Sequence, residues 1–394
     1  MRVYAGLDAL TGERHYLTEV VPAGPKAAAE AERARTRLLS QVDERRNPKT
    51  RATLNQLLDR YLEVLDVEPT TKVRYEVDIR LRLRPVLGHL PLSRIEPDLL
   101  ERLYAQLRIC RDRCGGKGNH TKHRTRRPHE CDSECRPVPC KPLSASSIRA
   151  LHWTLSSAMK AAVRWRWITQ NPLETVKPPP PPKPHPRPPT AEQAARILTE
   201  AWKDPDWGTL VWTAMTTGAR RGELCALYRE DLDLDTAVLF VHTSLKLVDG
   251  RWLRLETKTH QQRRIALDDD TVTILRNHVA RLDAVAAQFG IEISPRSYLF
   301  TLTPDATDPL KPDTATQRYD RLAKRLDIPT TFHRLRHYSA TELITAGVDI
   351  RTVAGRLGHG GDGTTTLKTY AAWISEADQR AAAALGHRLP RPGR

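Results

Sequence analysis

Residues 178–189 read PPPPPKPHPRPP. Proline has no backbone N–H and a fixed φ, so such a stretch cannot supply the donors that a helix or a sheet ladder requires. It is expected as extended polyproline II, which makes residues 176–189 a linker and divides the chain into separately folded parts. Thr190-Ala-Glu-Gln193 follows at once with the spacing of a helix capping box. A new unit, residues 190–394, therefore begins where the linker stops.

Upstream of the linker, Leu54, Leu57, Leu58, Tyr61, Leu62 and Leu65 recur at the steps of one buried helix face. Similar patterns predict helices over 71–87, 97–107 and 146–167. In the last of these, Ile148, Leu151, Leu155, Met159 and Val163 form one stripe, which leaves Arg149, Lys160, Arg164 and Arg166 for a phosphate backbone. Residues 51–175 thus read as a compact helical domain, interrupted by a Cys/His-rich insertion at 108–142. Residues 1–45 read as a small appendage: a hairpin of 3–7 and 15–21 turning near Thr11-Gly12, then an alanine-rich helix over 26–44. After the linker helical segments dominate, with strand-like stretches at 238–241, 252–255 and 264–267. The fold class is mainly α with small β elements, the second unit being mixed α/β.

A length of 394 residues suits two or three domains, and the surplus of 63 Lys and Arg over 47 Asp and Glu gives a net charge of +16. That balance favours a polyanionic partner, nucleic acid first, by counterion release. No apolar run approaches the ~20 residues that span a bilayer, so no membrane role is expected. The start, Met1-Arg-Val-Tyr-Ala-Gly-Leu-Asp, lacks a secretory pattern, and a cytoplasmic protein is expected, its cysteines reduced or bound to metal.

Five segments of the second unit carry chemistry in order. Thr217-Gly-Ala-Arg220-Arg-Gly-Glu223-Leu places an arginine at a tight turn entering a helix, where its fork can face a phosphate, although a surface arginine at a helix start looks the same. The run from Leu255 to Leu267 reads as a hairpin with Lys258 at its tip, also a usual place for a solvated lysine. Phe332-His333-Arg-Leu-Arg336-His337 sets His333 and Arg336 one helical turn apart, an imidazole and a permanent cation suited to a phosphate that gains charge on attack. Arg356-Leu-Gly358-His359 places a histidine past a glycine, and Tyr370 follows. Taken alone, a tyrosine near the end of a sequence is usually a packing residue.

The order and spacing of these five segments resemble the tyrosine recombinases, also called phage integrases, closely over 190 to about 387. The stretch from Arg356 through Trp373 is similar to integrases of actinobacterial mobile elements. Carried over residue by residue, the resemblance implies that Arg220 and Arg336 clamp the phosphate and that Glu223 buttresses Arg220. It implies Lys258 as general acid, His333 and His359 as pocket histidines and Tyr370 as nucleophile. It further implies site-specific integration or excision of a mobile element through a 3′-phosphotyrosyl intermediate, with no metal or nucleotide in the chemistry. The interval from His359 to Tyr370 is longer than in many members, and Gly360, Gly361 and Gly363 accommodate it.

By the same resemblance the helical domain, ending Trp167-Ile-Thr-Gln-Asn171-Pro172, is a core-binding domain that closes around duplex DNA with the catalytic domain. Residues 1–45 resemble an arm-binding domain in which not all of the usual three strands are visible, as expected if the chain begins late. A last helix over 375–385 is expected to dock on a neighbouring subunit of a homotetramer on DNA. The implied partners are double-stranded attachment sites and an excision factor or host architectural protein, at the nucleoid.

The insertion carries Cys110, Cys114, Cys131, Cys135 and Cys140 with His120, His123 and His129. Thiolates and imidazoles at that density suit a structural zinc that folds a loop without a core. Cys110, Cys114, Cys131 and Cys135 are the first choice of ligands, with Cys140 or a histidine able to replace any of them, against a metal-free reduced loop. Cys225 reads as a small buried residue. A DNA-binding regulator fits the charge as well but does not account for five ordered segments; a DNA-relaxing topoisomerase shares the chemistry but lacks partner-strand choice, and cutting by a metal-dependent nuclease would stop in EDTA.

Overall fold

The structure, a computed structural model, describes residues 1–7, 14–43, 52–113, 120–125, 127–139, 141–181, 187–248, 250–257 and 262–359. The chain divides into two units, 1–183 and 184–394, so the boundary falls inside the proline run.

In the first unit β1 (Arg2–Leu7) pairs antiparallel with β2 (Arg14–Thr18), and the register shifts between Tyr4 and Gly6. Helix α1 (Ala27–Asp43) packs on this hairpin. Helix α2 (Leu54–Glu63) starts at a capping box: the Gln56 N–H donates to Thr53 Oγ1, and the Thr53 N–H donates to Gln56 Oε1 at 2.8 Å. Its leucines enter the core as the periodicity predicts.

The helix expected over 71–87 is α3 (Pro69–Asp78) and α4 (Arg84–Leu87) joined by one widened π turn at Ile79–Leu83. The physical reason is Pro85, whose ring would clash with a carbonyl four residues back and which has no N–H to donate to it. Helix α5 (Pro97–Ile109) follows, then β3 (His120–Lys122) paired antiparallel with β4 (Arg136–Val138), and α6 (Ala145–Arg164), capped by Ser144. Leu58, Leu83, Leu100, Ile148, Leu155 and Trp167 share one core. Asn171 is buried against α6, its amide donating to Ser156 Oγ at 3.2 Å while its carbonyl accepts from the Leu173 N–H.

Lys160 and Arg164 of α6 and Arg166 just beyond it are exposed as expected, but Arg149 is partly buried and donates to the Pro179 carbonyl at 2.7 Å. The first prolines of the linker are therefore docked on this unit rather than free, with Pro179 buried.

The second unit opens with α7 (Ala191–Ala201) at the Thr190–Gln193 capping box, followed by α8 (Pro205–Thr217) and the single turn α9 (Arg221–Leu224). Strands β5 (Leu232–Asp233), β6 (Val238–Val241), β7 (Thr243–Val248), β8 (Arg251–Glu256) and β9 (Arg263–Ala266) come next. They form the antiparallel sheet β5-β6-β9 and the pair β7-β8. The arm 238–248 thus pairs with β8 near its tip and with β9 near its base.

That pairing corrects the hairpin expected over 255–267: β8 and β9 do not pair with each other, and the reversal lies at Gly250, whose φ is +78°. Lys258 itself is outside the described residues. Helices α10 (Asp269–Ala287), α11 (Pro312–Arg325), α12 (Phe332–Thr345) and α13 (Ile350–Leu357) complete the described part. Leu210, Val211, Leu239, Leu275, Tyr319 and Leu335 lie in one core, while Ala340, Val353 and Leu357 hold α13 on α12. Among the described residues no helix is long and apolar enough to cross a membrane.

Candidate active site

Helix α8 ends at Gly218 in the left-handed conformation, φ +63°. A side chain there would come within 2.4 Å of Leu357 Cδ2, so only glycine allows the turn to pass this close to α13. The buried Gly218 carbonyl accepts a bond from Arg336 Nη1 at 2.7 Å, which ties the guanidinium of α12 to the end of α8. Arg336 is 4% exposed.

Arg220 precedes α9, and Glu223 lies three residues on. The Glu223 carboxylate accepts the Arg220 N–H at 2.7 Å and Arg220 Nη1 at 2.8 Å. It also accepts Arg263 Nη2 of β9 at 2.5 Å and Nη1 at 3.3 Å. Burial alone would raise this carboxyl's pKa, but the Arg263 bonds and the charges of both arginines outweigh it and hold Glu223 down at about 2. Arg220 Nη2 donates to the Gly358 carbonyl at 3.0 Å.

Gly358 caps α13 at φ +66°, and a side chain there would meet Arg263 Nη1 at 2.7 Å. One carboxylate therefore joins strand and helix turn, and Arg220 carries the join on to the end of α13. Arg356 fixes α13 from the other side, donating to the carbonyls of Ala266 and Thr216 at 3.0 and 3.1 Å.

Three histidines lie close to these arginines. His333 lies in the first turn of α12, and burial, then Arg336, Arg220 and Arg221, lower its pKa. His337, one turn on, has its ring 5.0 Å from that of His333 at 86°, and burial, then His333 and Arg336, lower it to about 4. His359, just past Gly358, is lowered to about 4 by burial and then by Arg336 and Arg220. All three are neutral near pH 7. The guanidiniums of Arg220, Arg263 and Arg336 against one carboxylate leave the site with surplus positive charge. A cleft of about 440 Å³ opens beside it, lined by Arg220, Arg221, Gly222, Ser244, Thr316 and His333. Two cations beside neutral imidazoles can neutralise an oxyanion and move a proton without a charged acid in the ground state.

Arg220, Glu223, His333, Arg336 and His359 are thus brought together, while Lys258 and Tyr370 lie outside the described residues. Sequence reading missed Arg263 and His337. The signal for Arg263 was strand alternation, which places it on the buried face with Ile265 and so requires a counter-charge. That for His337 was its four-residue step from His333. By contrast His278 is a satisfied core residue, bonded to Asp206 Oδ1 at 3.0 Å and the Leu299 carbonyl at 2.8 Å. Cys225 is buried, which pushes its thiol up to about 12, as its reading as a packing residue requires.

In the insertion, the expected cysteine ligands separate. Cys131 and Cys135 lie together with His123 and His129, their four ligand atoms all within 4.8 Å of one another. Cys110 is not in that group: it ends α5, its N–H bonded to the Gln106 carbonyl at 2.9 Å, and its side chain is 0% exposed. Cys114 lies outside the described residues.

The family model described as the phage integrase family matches residues 190–375, and that of the phage integrase N-terminal SAM-like domain matches 53–107. The ICEBs1 integrase of Bacillus subtilis is 26% identical over 226 residues, 57% of this chain and 61% of the relative. A XerC-like tyrosine recombinase of Caldanaerobacter subterraneus is 27% identical over 240 residues, 55% of this chain and 60% of the relative. The chain thus spans about three fifths of the length of these relatives. Among solved structures, the Tn1549 transposon integrase in complex with transposon right end DNA aligns with a TM-score of 0.63 at 22% identity, covering 84% of this chain and 99% of that one. A lambda integrase tetramer bound to a Holliday junction aligns at 0.58 and 20% identity, covering 92% and 90%. These two share the fold.

Proposed function

The chain belongs to the phage integrase family of tyrosine recombinases, and from that premise we propose that it is a site-specific recombinase that integrates or excises a mobile element. The observation that carries this reading is the pairing of Arg220 and Arg336 with neutral His333 and His359 around one basic pocket. In this reading a scissile phosphate lies against the two guanidiniums. The Tyr370 oxygen attacks phosphorus, forming a 3′-phosphotyrosyl bond, and the bond to the 5′ oxygen breaks. The phenol proton passes to the pocket, with His333 its acceptor and His359 a donor to a phosphate oxygen, and Lys258 protonates the leaving oxygen. The free 5′ hydroxyl of a partner strand then reverses these steps. Supporting the assignment, the matched family span runs through both Lys258 and Tyr370.

The phosphodiester bond energy is kept in the covalent link, so strand exchange takes no metal or nucleotide, and any zinc in the insertion is structural. Residues 51–175 serve as the core-binding domain and 1–45 as the arm-binding domain, with residues 190–394 catalytic. The partners are double-stranded attachment sites, three further copies in a tetramer on DNA, and an excision factor or host architectural protein at the nucleoid of the cytoplasm. The test is a nicked suicide substrate: Tyr370→Phe retains DNA binding but forms no covalent adduct, and wild-type cleavage persists in EDTA. An adduct in Tyr370→Phe moves the nucleophile elsewhere, and loss of cleavage in EDTA replaces this mechanism with a metal-dependent one.

A further inference from the structure

The stretch 120–139, between and including β3 and β4, contains a single aliphatic side chain larger than alanine outside its prolines, Val138. It has no core with which to hold a fold. Yet four of the potential ligands it carries, His123, His129, Cys131 and Cys135, converge. His129 Nε2 is 3.1 Å from Cys135 Sγ, and His123 Nδ1 is 3.4 Å from Cys131 Sγ. The two imidazole rings stand 5.1 Å apart and nearly perpendicular, as two rings sharing a tetrahedral centre do. His129 Nδ1 donates to the Arg127 carbonyl at 2.9 Å, which fixes the tautomer and leaves Nε2 with its lone pair toward the cluster. The spacing of the two cysteines is set by a turn in which the Cys135 N–H donates to the Asp132 carbonyl at 3.0 Å, and Asp132 is itself held by Arg124 at 2.9 Å.

We propose that His123, His129, Cys131 and Cys135 bind one zinc ion that staples the β3–β4 finger. Two thiolates and two imidazoles at this separation suit tetrahedral zinc rather than a hard, oxygen-seeking cation. Cys110, which the sequence favoured as a ligand, is buried at the end of α5 and is not one of these four. The ion is structural, because its four protein ligands leave no open position for a substrate.

The test measures metal in the full-length chain, purified in reducing buffer after exposure to zinc. Stoichiometric zinc is expected in wild type and in Cys110→Ala, with loss in Cys131→Ser and Cys135→Ser. Cobalt in place of zinc should give the visible absorption of a tetrahedral site with thiolate-to-metal charge transfer, and Cys135→His should keep the metal while weakening the charge-transfer band. Substoichiometric zinc in wild type overturns the proposal. So does zinc retained in the Cys131→Ser, Cys135→Ser double variant, or zinc lost in Cys110→Ala with the helical circular dichroism intact. No DNA enters the measurement, so its failure leaves the recombinase reading untouched, and failure of that reading leaves the metal site standing.

Discussion

Glu223 is 2% exposed between two guanidiniums and stays ionised, so its charge is part of the architecture of the site. Glu223→Gln keeps the shape and leaves Arg220 and Arg263 without their shared counter-charge. Breaking a buried ion pair in this way costs roughly 3–5 kcal/mol. A lowered urea midpoint checks it, and an unchanged midpoint would mean that the two arginines are neutralised by other groups. The histidines set a second dependence. His337 and His359 hold their protons less readily in the folded chain, at about 4, than the ordinary 6.5. The unfolded chain therefore binds protons first as pH falls, and the stability present above pH 6.5 is lost as pH drops toward about 4. Glu223 acts lower still, its contribution present above 4.5 and lost as pH falls through about 2. Urea midpoints at pH 7.5 and 5 (both chosen to bracket this window) should differ, and His359→Gln should narrow the difference. At this scale the candidate site was half legible. Arg220, His333, Arg336 and His359 stand in recognisable segments, whereas for Arg263 the alternation of β9 signals a buried charge but not that Glu223 of α9 is its counter-charge.

Among the elements, two left-handed glycines make a controlled comparison. Gly250 at the hairpin reversal has open space around its Cα, whereas Gly358 faces Arg263 Nη1 at 2.7 Å. An alanine at either position carries the left-handed cost of about 1–2 kcal/mol. At Gly358 it also displaces Arg263 from Glu223, so Gly358→Ala should lower both the melting temperature and DNA cleavage, while Gly250→Ala lowers the melting temperature slightly and leaves cleavage near wild type. Equal effects of the two on cleavage would show that the Gly358 contact is incidental. Helices with a sustained apolar face, such as α2 and α6, were legible from sequence because periodicity is a local property. The π turn before Pro85 and the pairing of β8 and β9 with one common arm rather than with each other were not. The first arises from a clash one turn away, and the second from a register shared with residues some twenty positions earlier. The insertion shows the same limit: the density of cysteines and histidines suggested metal ligands, but which of them lie together, His123, His129, Cys131 and Cys135, is not set by that density.

For the whole molecule, the proline run predicted two units, and the chain divides inside it. Each unit has its own core, so denaturation should show two transitions, and Glu223→Gln should move only one of them. A single transition that shifts as a whole would mean that the units fold as one. The docking of the first prolines on the helical unit has a further consequence. With Pro179 buried in one unit and Pro189 in the other, the leash between these two anchors is residues 180–188. Ten Cα-to-Cα steps reach at most roughly 35 Å however they are bent. If one unit lets go of a shared ligand, it is held at high local concentration beside the site it has just left. Release of the whole chain then requires both grips to fail within one recapture time, so residence is governed by the length of the leash as well as by the contacts themselves.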